Sequence, residues 1–227
     1  MDYACTDIAK MIDHSLLKPE LTDADISEGC EIARKYDVAS VCCVPTDVAV
    51  VRKTLAGSDV KVAAVVGFPH GYNRTETKVF EANLAIDDGA HELDMVLHIG
   101  KLRSRDFEYV RSDIEAVVDA AHKKGVLVKV ILENCYLSDE LKEMGCKLCE
   151  QAGADFVKTS TGFAPGGATL EDLKLMRRSV SAKVQIKAAG GVRDLDMALK
   201  VRDVGATRFG ATQTAKIMEE CFKKSER

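Results

Sequence analysis

Two lysines carry the strongest chemical signal in this chain. Lys158 stands in Asp-Phe-Val-Lys-Thr-Ser-Thr-Gly (155–162) and Lys187 in Val-Gln-Ile-Lys-Ala-Ala-Gly-Gly-Val (184–192). An ammonium among such neighbours is costly, because taking the charge out of water without a partner is worth several kcal/mol. The plain outcome is that both side chains snorkel to a surface or pair with acids. The chemical outcome is an amine that gives up its proton near neutral pH and attacks a carbonyl to form a Schiff base. A free lysine, with a pKa near 10.4, is neutral only about once in 2,500 molecules at pH 7. Burial and a second nearby cation both push toward the neutral form.

Acids to serve these amines stand on other apolar runs. Asp94 lies in Glu-Leu-Asp-Met-Val-Leu (92–97), where alternation points Asp94 and Val96 one way and Leu93 and Met95 the other. Asp13 follows Ile12. A carboxylate in such a place can neutralise a buried lysine, move protons for it, or both. Glycines form a further group. Gly-Gly-Val-Arg (190–193), Gly-Ala-Thr (210–212) and the run from Gly162 to Gly167 each follow an apolar stretch. Glycine pairs are usually turns, but three such loops beside the lysines suggest close backbone approach to a phosphate. Gly162, Gly190, Gly191, Val192, Arg193, Gly210 and Thr212 are the candidate anion binders.

These residues need a scaffold that brings them to one place. Short runs rich in valine and isoleucine recur at 11–17, 39–44, 62–67, 92–98, 127–132, 155–159, 184–188 and 207–210, as expected of strands buried on both faces of a parallel sheet. Helical patterns lie between them at 25–36, 76–87, 107–123, 138–151, 170–178, 195–204 and 214–225. That alternation predicts a TIM (β/α)8 barrel forming one domain over 1–227. Punctuation agrees. Gly-Ala recurs at 89–90, 153–154 and 205–206 between a helix and a strand, and all four prolines fall just after a strand. A doubly wound open sheet is the competing fold, but no GxGxxG follows the first strand. In a barrel, strand C-termini build the active site, so Asp13, Asp94, Lys158 and Lys187 converge, with the phosphate at the seventh and eighth loops.

Composition removes other classes. The 227 residues carry a net charge of −4 with both signs interspersed, which gives no basic footprint for nucleic acid. No apolar run reaches the roughly 18 residues of a membrane span, and the acidic N-terminus lacks a signal-peptide layout. The eight cysteines are read as reduced thiols of a cytoplasmic protein. Cys146-x-x-Cys149 sits inside a helical pattern with no second ligand pair, and the five histidines show no metal-binding spacing, so no metal is expected. His14 and His70, near strand ends, could line the pocket or simply pack. Glu133 and Asn134 are expected to support the site from behind.

At these motifs the chain resembles the deoxyribose-phosphate aldolases, class I Schiff-base enzymes on a TIM barrel. The resemblance runs from Ile-Asp-His-Ser-Leu-Leu-Lys-Pro (12–19) to Arg-Phe-Gly (208–210), through Val-Val-Gly-Phe-Pro-His-Gly (65–71), 92–100, 152–163 and 187–193. It implies reversible cleavage of 2-deoxy-D-ribose 5-phosphate to acetaldehyde and D-glyceraldehyde 3-phosphate. Lys158 would form the Schiff base, Lys187 and Asp94 would be its catalytic partners, and no cofactor would be needed. Asp13 would help to hold Lys187. A homodimer or higher homo-oligomer is expected, with a small sugar phosphate as substrate. The alternatives are another Schiff-base barrel acting on a keto-sugar phosphate, or a non-catalytic barrel, whose signature would be loss of one of the three residues. The chain departs from the common family pattern at Ser15, at Thr212-Gln213 where many relatives carry a serine pair, at Phe163 where some carry lysine, and in having no tyrosine after Tyr136.

Overall fold

The computed structural model describes residues 3–225; the ends of the expected 1–227 domain, residues 1–2 and 226–227, lie outside the described residues. Eight strands pair in parallel in chain order: β1 (Ile12–Leu16), β2 (Ser40–Cys43), β3 (Lys61–Val66), β4 (Glu92–Val96), β5 (Leu127–Ile131), β6 (Phe156–Lys158), β7 (Gln185–Ala188) and β8 (Arg208–Ala211). Asp13 of β1 faces Ser40 on one side and Gly210 on the other, so the sheet closes on itself. That closure is a TIM barrel and excludes the open sheet. The expected strand bounds overran the observed ones by one or two residues at several ends.

Ten helices surround the barrel among the described residues: α1 (Cys5–Ala9), α2 (Asp23–Lys35), α3 (Val48–Thr54), α4 (Thr75–Asp87), α5 (Ile99–Arg103), α6 (Phe107–His122), α7 (Asp139–Gln151), α8 (Leu170–Ser179), α9 (Leu195–Asp203) and α10 (Thr214–Ser225). None is long and apolar enough to cross a membrane. Side-chain caps start several of them: Ser138 accepts from Leu141 N at 3.4 Å and Thr169 from Asp172 N at 3.0 Å. The Gly-Ala pairs stop them. Gly89, at φ +105°, lets Ala90 N donate back to Ala85 O at 2.9 Å. Helix α3 fills the slot between β2 and β3 that the (β/α)8 count required, although no residue range was read for it. Its Val-Ala-Val-Val start has little helical propensity, and burial of Val48 and Val51 overrides that.

Alternation along each strand divides the protein into two interiors. Outward residues such as Ile12, Val41, Leu93, Met95, Val130, Ile186 and Phe209 join the helices in one large apolar core. Each such side chain contributes roughly 1.5–3 kcal/mol by leaving water. The inward residues of a usual barrel are bulky and branched. Here they include Asp13, Ser40, Glu92, Asp94, Lys129, Lys158 and Lys187, all buried, with Arg208 beside them and a small apolar cluster of Leu17, Cys42, Ala63 and Val65. A second buried ion pair stands outside the barrel, where Lys78 of α4 donates to Asp113 of α6 at 2.6 Å and to Val96 O at 3.0 Å.

The cysteines correct an expectation. Cys5 of α1 and Cys221 of α10 form a disulfide that joins two elements 216 residues apart in sequence. Cys30, Cys42, Cys43, Cys135, Cys146 and Cys149 are free thiols, as the sequence reading had it for all eight. The bonded pair has no framework spacing, and α1 was not expected as an element. Its contact with α10 was therefore invisible from sequence.

Candidate active site

Lys158 is the last residue of β6, and its register partner on β7 is Lys187. Both amines reach one oxygen: Lys158 Nζ and Lys187 Nζ each lie 2.6 Å from Asp94 Oδ2. Asp94 stands opposite Lys129 on β5, and Lys129 donates to its other oxygen at 2.9 Å. Lys187 also pairs with Asp13. Lys129 goes on to Glu92 at 2.5 Å, and Arg208 bridges Asp13 at 2.7 Å and Glu92 at 2.7 Å. The lysines are thus both buried and paired, so the two readings of them coexist.

The three lysines are electrostatically unlike. Burial pushes the Lys158 pKa below its ordinary value; Asp94 opposes and the charge on Lys187 reinforces the fall. Burial also works against Lys187, but Asp13 and Asp94 together outweigh it and its pKa rises. Lys129 rises as well, because Asp94, Glu92 and Asp13 outweigh its burial. Asp94 itself is held well below the usual carboxylate range: burial opposes this, but Lys129, Lys158 and Lys187 prevail. With three cations on one carboxylate, removal of one proton leaves Asp94 satisfied. Lys158 is the amine least bound to its proton.

A cavity of about 430 Å³ opens above this network. Asp13, Lys158, Lys187, Gly162, Gly190, Gly191, Val192, Arg193, Gly210 and Thr212 all line it. Asp94 does not; it is fully buried beneath the lysines, whereas Lys158 keeps 3% exposure. The loops after β6 and β7 are locked to each other. Thr159 Oγ1 donates to Ala189 O at 3.1 Å and accepts from Ala189 N at 3.0 Å. Gly167 packs so tightly on Gly190 that a Cβ would sit 2.6 Å from Gly190 O. Glu133, at φ +57°, accepts from Thr161 N at 3.2 Å and from the Thr161 hydroxyl, fixing the start of the same loop. Asn134 N donates to Thr159 O at 3.0 Å. Both residues support the site from behind.

Several placements differ from or extend the expectation. His14 faces away from the cavity: its Nδ1 lies 2.8 Å from Thr214 Oγ1 at the start of α10, and burial drives its pKa down to about 4. His70 is exposed and stacks on Tyr72, with centroids 5.1 Å apart. Gly210 is not at positive φ, and an added Cβ would meet Ala189 Cβ at an ordinary 3.8 Å, so neither backbone conformation nor packing within the protein demands glycine there. Leu17, Lys18 and Glu20, after β1, and Cys42 line the cavity without having been singled out. Phe163 packs edge-on against Phe68 at 5.3 Å at the same opening. Lys129, Glu92 and Arg208 were missed although Leu-Val-Lys-Val-Ile shows the signal that marked Lys158. Cys146 and Cys149 are buried in α7, and burial pushes both thiols up, to about 12 for Cys146. No cluster of three or more His, Cys, Asp or Glu groups suited to a metal occurs among the described residues.

The profile of the DeoC/LacD family aldolases matches residues 8–213. Among similar proteins, the deoxyribose-phosphate aldolase of Clostridium perfringens (strain 13 / Type A) is 54% identical over 212 residues, covering 93% of this chain and 94% of its own. That of Thermococcus gammatolerans is 51% identical over 215 residues, covering 94% and 96%. The solved structure of the tetrameric deoxyribose phosphate aldolase from Aeropyrum pernix superposes with a TM-score of 0.90 at 30% identity, over 98% of this chain and 93% of that one.

Proposed function

The chain belongs to the DeoC/LacD family of aldolases, and we propose that it is a 2-deoxy-D-ribose-5-phosphate aldolase working through a Schiff base on Lys158. One observation carries this reading: two lysines share a single carboxylate oxygen on the floor of a glycine-rimmed cavity, and only one of them is pushed toward neutrality. Relatives of about half identity bear the same name over nearly the full chain.

Uncharged Lys158 attacks the aldehyde carbon of the open-chain sugar, and the carbinolamine loses water to give an iminium. Lys187, charged and facing the cavity, gives the departing hydroxyl the proton it needs and is left neutral, held in place by the ionised Asp94 and Asp13. Neutral Lys187 then takes the proton of the C3 hydroxyl, directly or through a water, as the C2–C3 bond breaks. Its electrons flow into the iminium, releasing glyceraldehyde 3-phosphate and leaving an enamine. Lys187 returns that proton to C2, and hydrolysis of the new iminium releases acetaldehyde and uncharged Lys158, the iminium's proton going back to Lys187. Gly162, Gly190, Gly191, Val192, Gly210 and Thr212 hold the phosphate chiefly through backbone N–H groups, with Arg193 adding charge. This accounts for the reaction without a metal or organic cofactor. A homo-oligomer belongs to the same reading. The Aeropyrum pernix relative is tetrameric, and Phe80 and Leu84, one turn apart on α4, stand 66% and 50% exposed.

Borohydride added with acetaldehyde should leave one ethyl group, and peptide mass mapping should place it on Lys158. Labelling of Lys187 with Lys158 untouched would overturn the assignment, and trapping by dihydroxyacetone in place of acetaldehyde would move the substrate to a keto-sugar phosphate.

A further inference from the structure

The ion network below the cavity does not stop at the groups a substrate can reach. Its far members are Glu92 and Arg208, the first residues of β4 and β8. Neither lines the cavity. Arg208 contacts Asp13, Glu92 and Ser40, the last at 3.3 Å, and Glu92 contacts Arg208 and Lys129. Counted among the described residues, the contact network holds three carboxylates (Asp13, Glu92, Asp94) against four cations (Lys129, Lys158, Lys187, Arg208). One positive charge is in excess. The site closes to neutrality when a single proton leaves, and Lys158 has only Asp94 to hold its proton, whereas Lys187 has two acids and Lys129 three.

We propose that Glu92 and Arg208 are positioning residues that set the proton count of the barrel interior, so that Lys158 is the one amine left uncharged. This rests on the reading of Lys158 as the Schiff-base lysine. The other groups facing Lys158 do not supply the balance. From β2 it meets Cys42, whose thiol burial raises to about 11 and so keeps neutral. The inward residues of β3, Ala63 and Val65, carry no charge. Glu133, after β5, feels the charge of Lys158, but burial raises its pKa, its contacts are to Thr161 and to no amine, and it is the same in every variant compared. His91, next to Glu92, turns to accept from Val62 N instead.

The inference gives effects of opposite sign from two residues that touch each other. Glu92→Gln removes an anion, leaving two acids against four cations, so Lys158 releases its proton at lower pH. Arg208→Met removes a cation, leaving three acids against three lysines, so Lys158 keeps its proton to higher pH. The double variant has two acids against three lysines, and so restores the excess of one.

The measurement is kcat/KM for deoxyribose 5-phosphate cleavage against pH in the wild type, both single variants and the double variant. The acid limb should move down in Glu92→Gln and up in Arg208→Met, each by on the order of one pH unit, and return near wild type in the double variant. Arg208→Lys, which keeps the charge, should leave the limb in place. Substrate ionisation is common to all and cancels. Should one single variant not fold, the other and the double variant still decide the sign. Limbs that stay put, or move the same way in both single variants, overturn the inference. Borohydride trapping with acetaldehyde, mapped in each protein, separates the two layers: a label away from Lys158 defeats the nucleophile assignment, whereas a label on Lys158 with unmoved limbs defeats only the role of Glu92 and Arg208.

Discussion

Gly191 and Gly190 adjoin in the chain but constrain different things. A Cβ on Gly190 would strike Gly167 Cα at 2.9 Å, whereas one on Gly191 meets only Ala168 O at 3.9 Å. Gly191→Val therefore tests anion approach and the φ of +100° rather than loop packing. It should lower kcat/KM for deoxyribose 5-phosphate by about tenfold or more while sparing plain deoxyribose. Thr212→Ala should cost less, since one hydroxyl is worth roughly 0.5–1.5 kcal/mol. If the folded Gly191→Val kept the wild-type preference for the phosphorylated sugar, the phosphate would have to lie elsewhere. His14 allows a pH test. Its pKa falls from 6.5 to about 4 on folding, so below about pH 6.5 the unfolded chain takes up a proton the native one refuses. Stability should drop by about 3 kcal/mol as pH falls from 6.5 to 4, beyond other groups. Urea midpoints of wild type and His14→Asn should converge on acidification; parallel slopes would rule this out. At this scale the sequence was informative wherever a polar residue interrupts an apolar strand, as at Asp13, Asp94, Lys158 and Lys187. Lys129 carried the same mark and was passed over because it was judged by its strand rather than by its partners.

Elements were legible in proportion to their periodicity. Helix α10 begins and ends at the expected residues, while α3 had no range read for it because valines conceal a helix whose register is set by burial. The Lys78–Asp113 pair was equally hidden. A lysine or aspartate within a helix ordinarily reads as solvated, and only the packing of α4 on α6 shows both fully buried, with Thr75 Oγ1 donating to Asp113 at 2.8 Å. Removing one partner strands the other. Asp113→Ala should destabilise the protein by about 3–5 kcal/mol, whereas Lys78→Met with Asp113→Leu should recover most of that loss. Equal losses in the single and double variants would show that the pair acts by shape rather than charge. The pair also grips Val96 O, two residues beyond Asp94 on the same strand, so kcat should be followed in both variants.

For the whole molecule, the Cys5–Cys221 bond closes nearly the entire chain into a loop, and it was not legible because neither spacing nor an expected element pointed to it. Chain-entropy reasoning puts its contribution near 5 kcal/mol as an upper figure, or on the order of 10 °C in Tm for a protein of this size. Thiol titration in denaturant without reductant should count six groups, and eight after reduction, with a lower Tm in the reduced protein. Eight thiols at the outset, or an unchanged Tm on reduction, would remove the bond from the stability account. The two interiors have a consequence for how the chain finds its structure. A strand that paired one residue out of step would exchange its faces. For β4 that slip would send Asp94 into the apolar layer under the helices and Met95 among the lysines. In a barrel with a wholly apolar lumen such an error is nearly silent. Here a slip of β1, β4, β5, β6 or β7 buries an unanswered charge at a cost of several kcal/mol, so the ions joined below the cavity also proofread the alignment of the sheet.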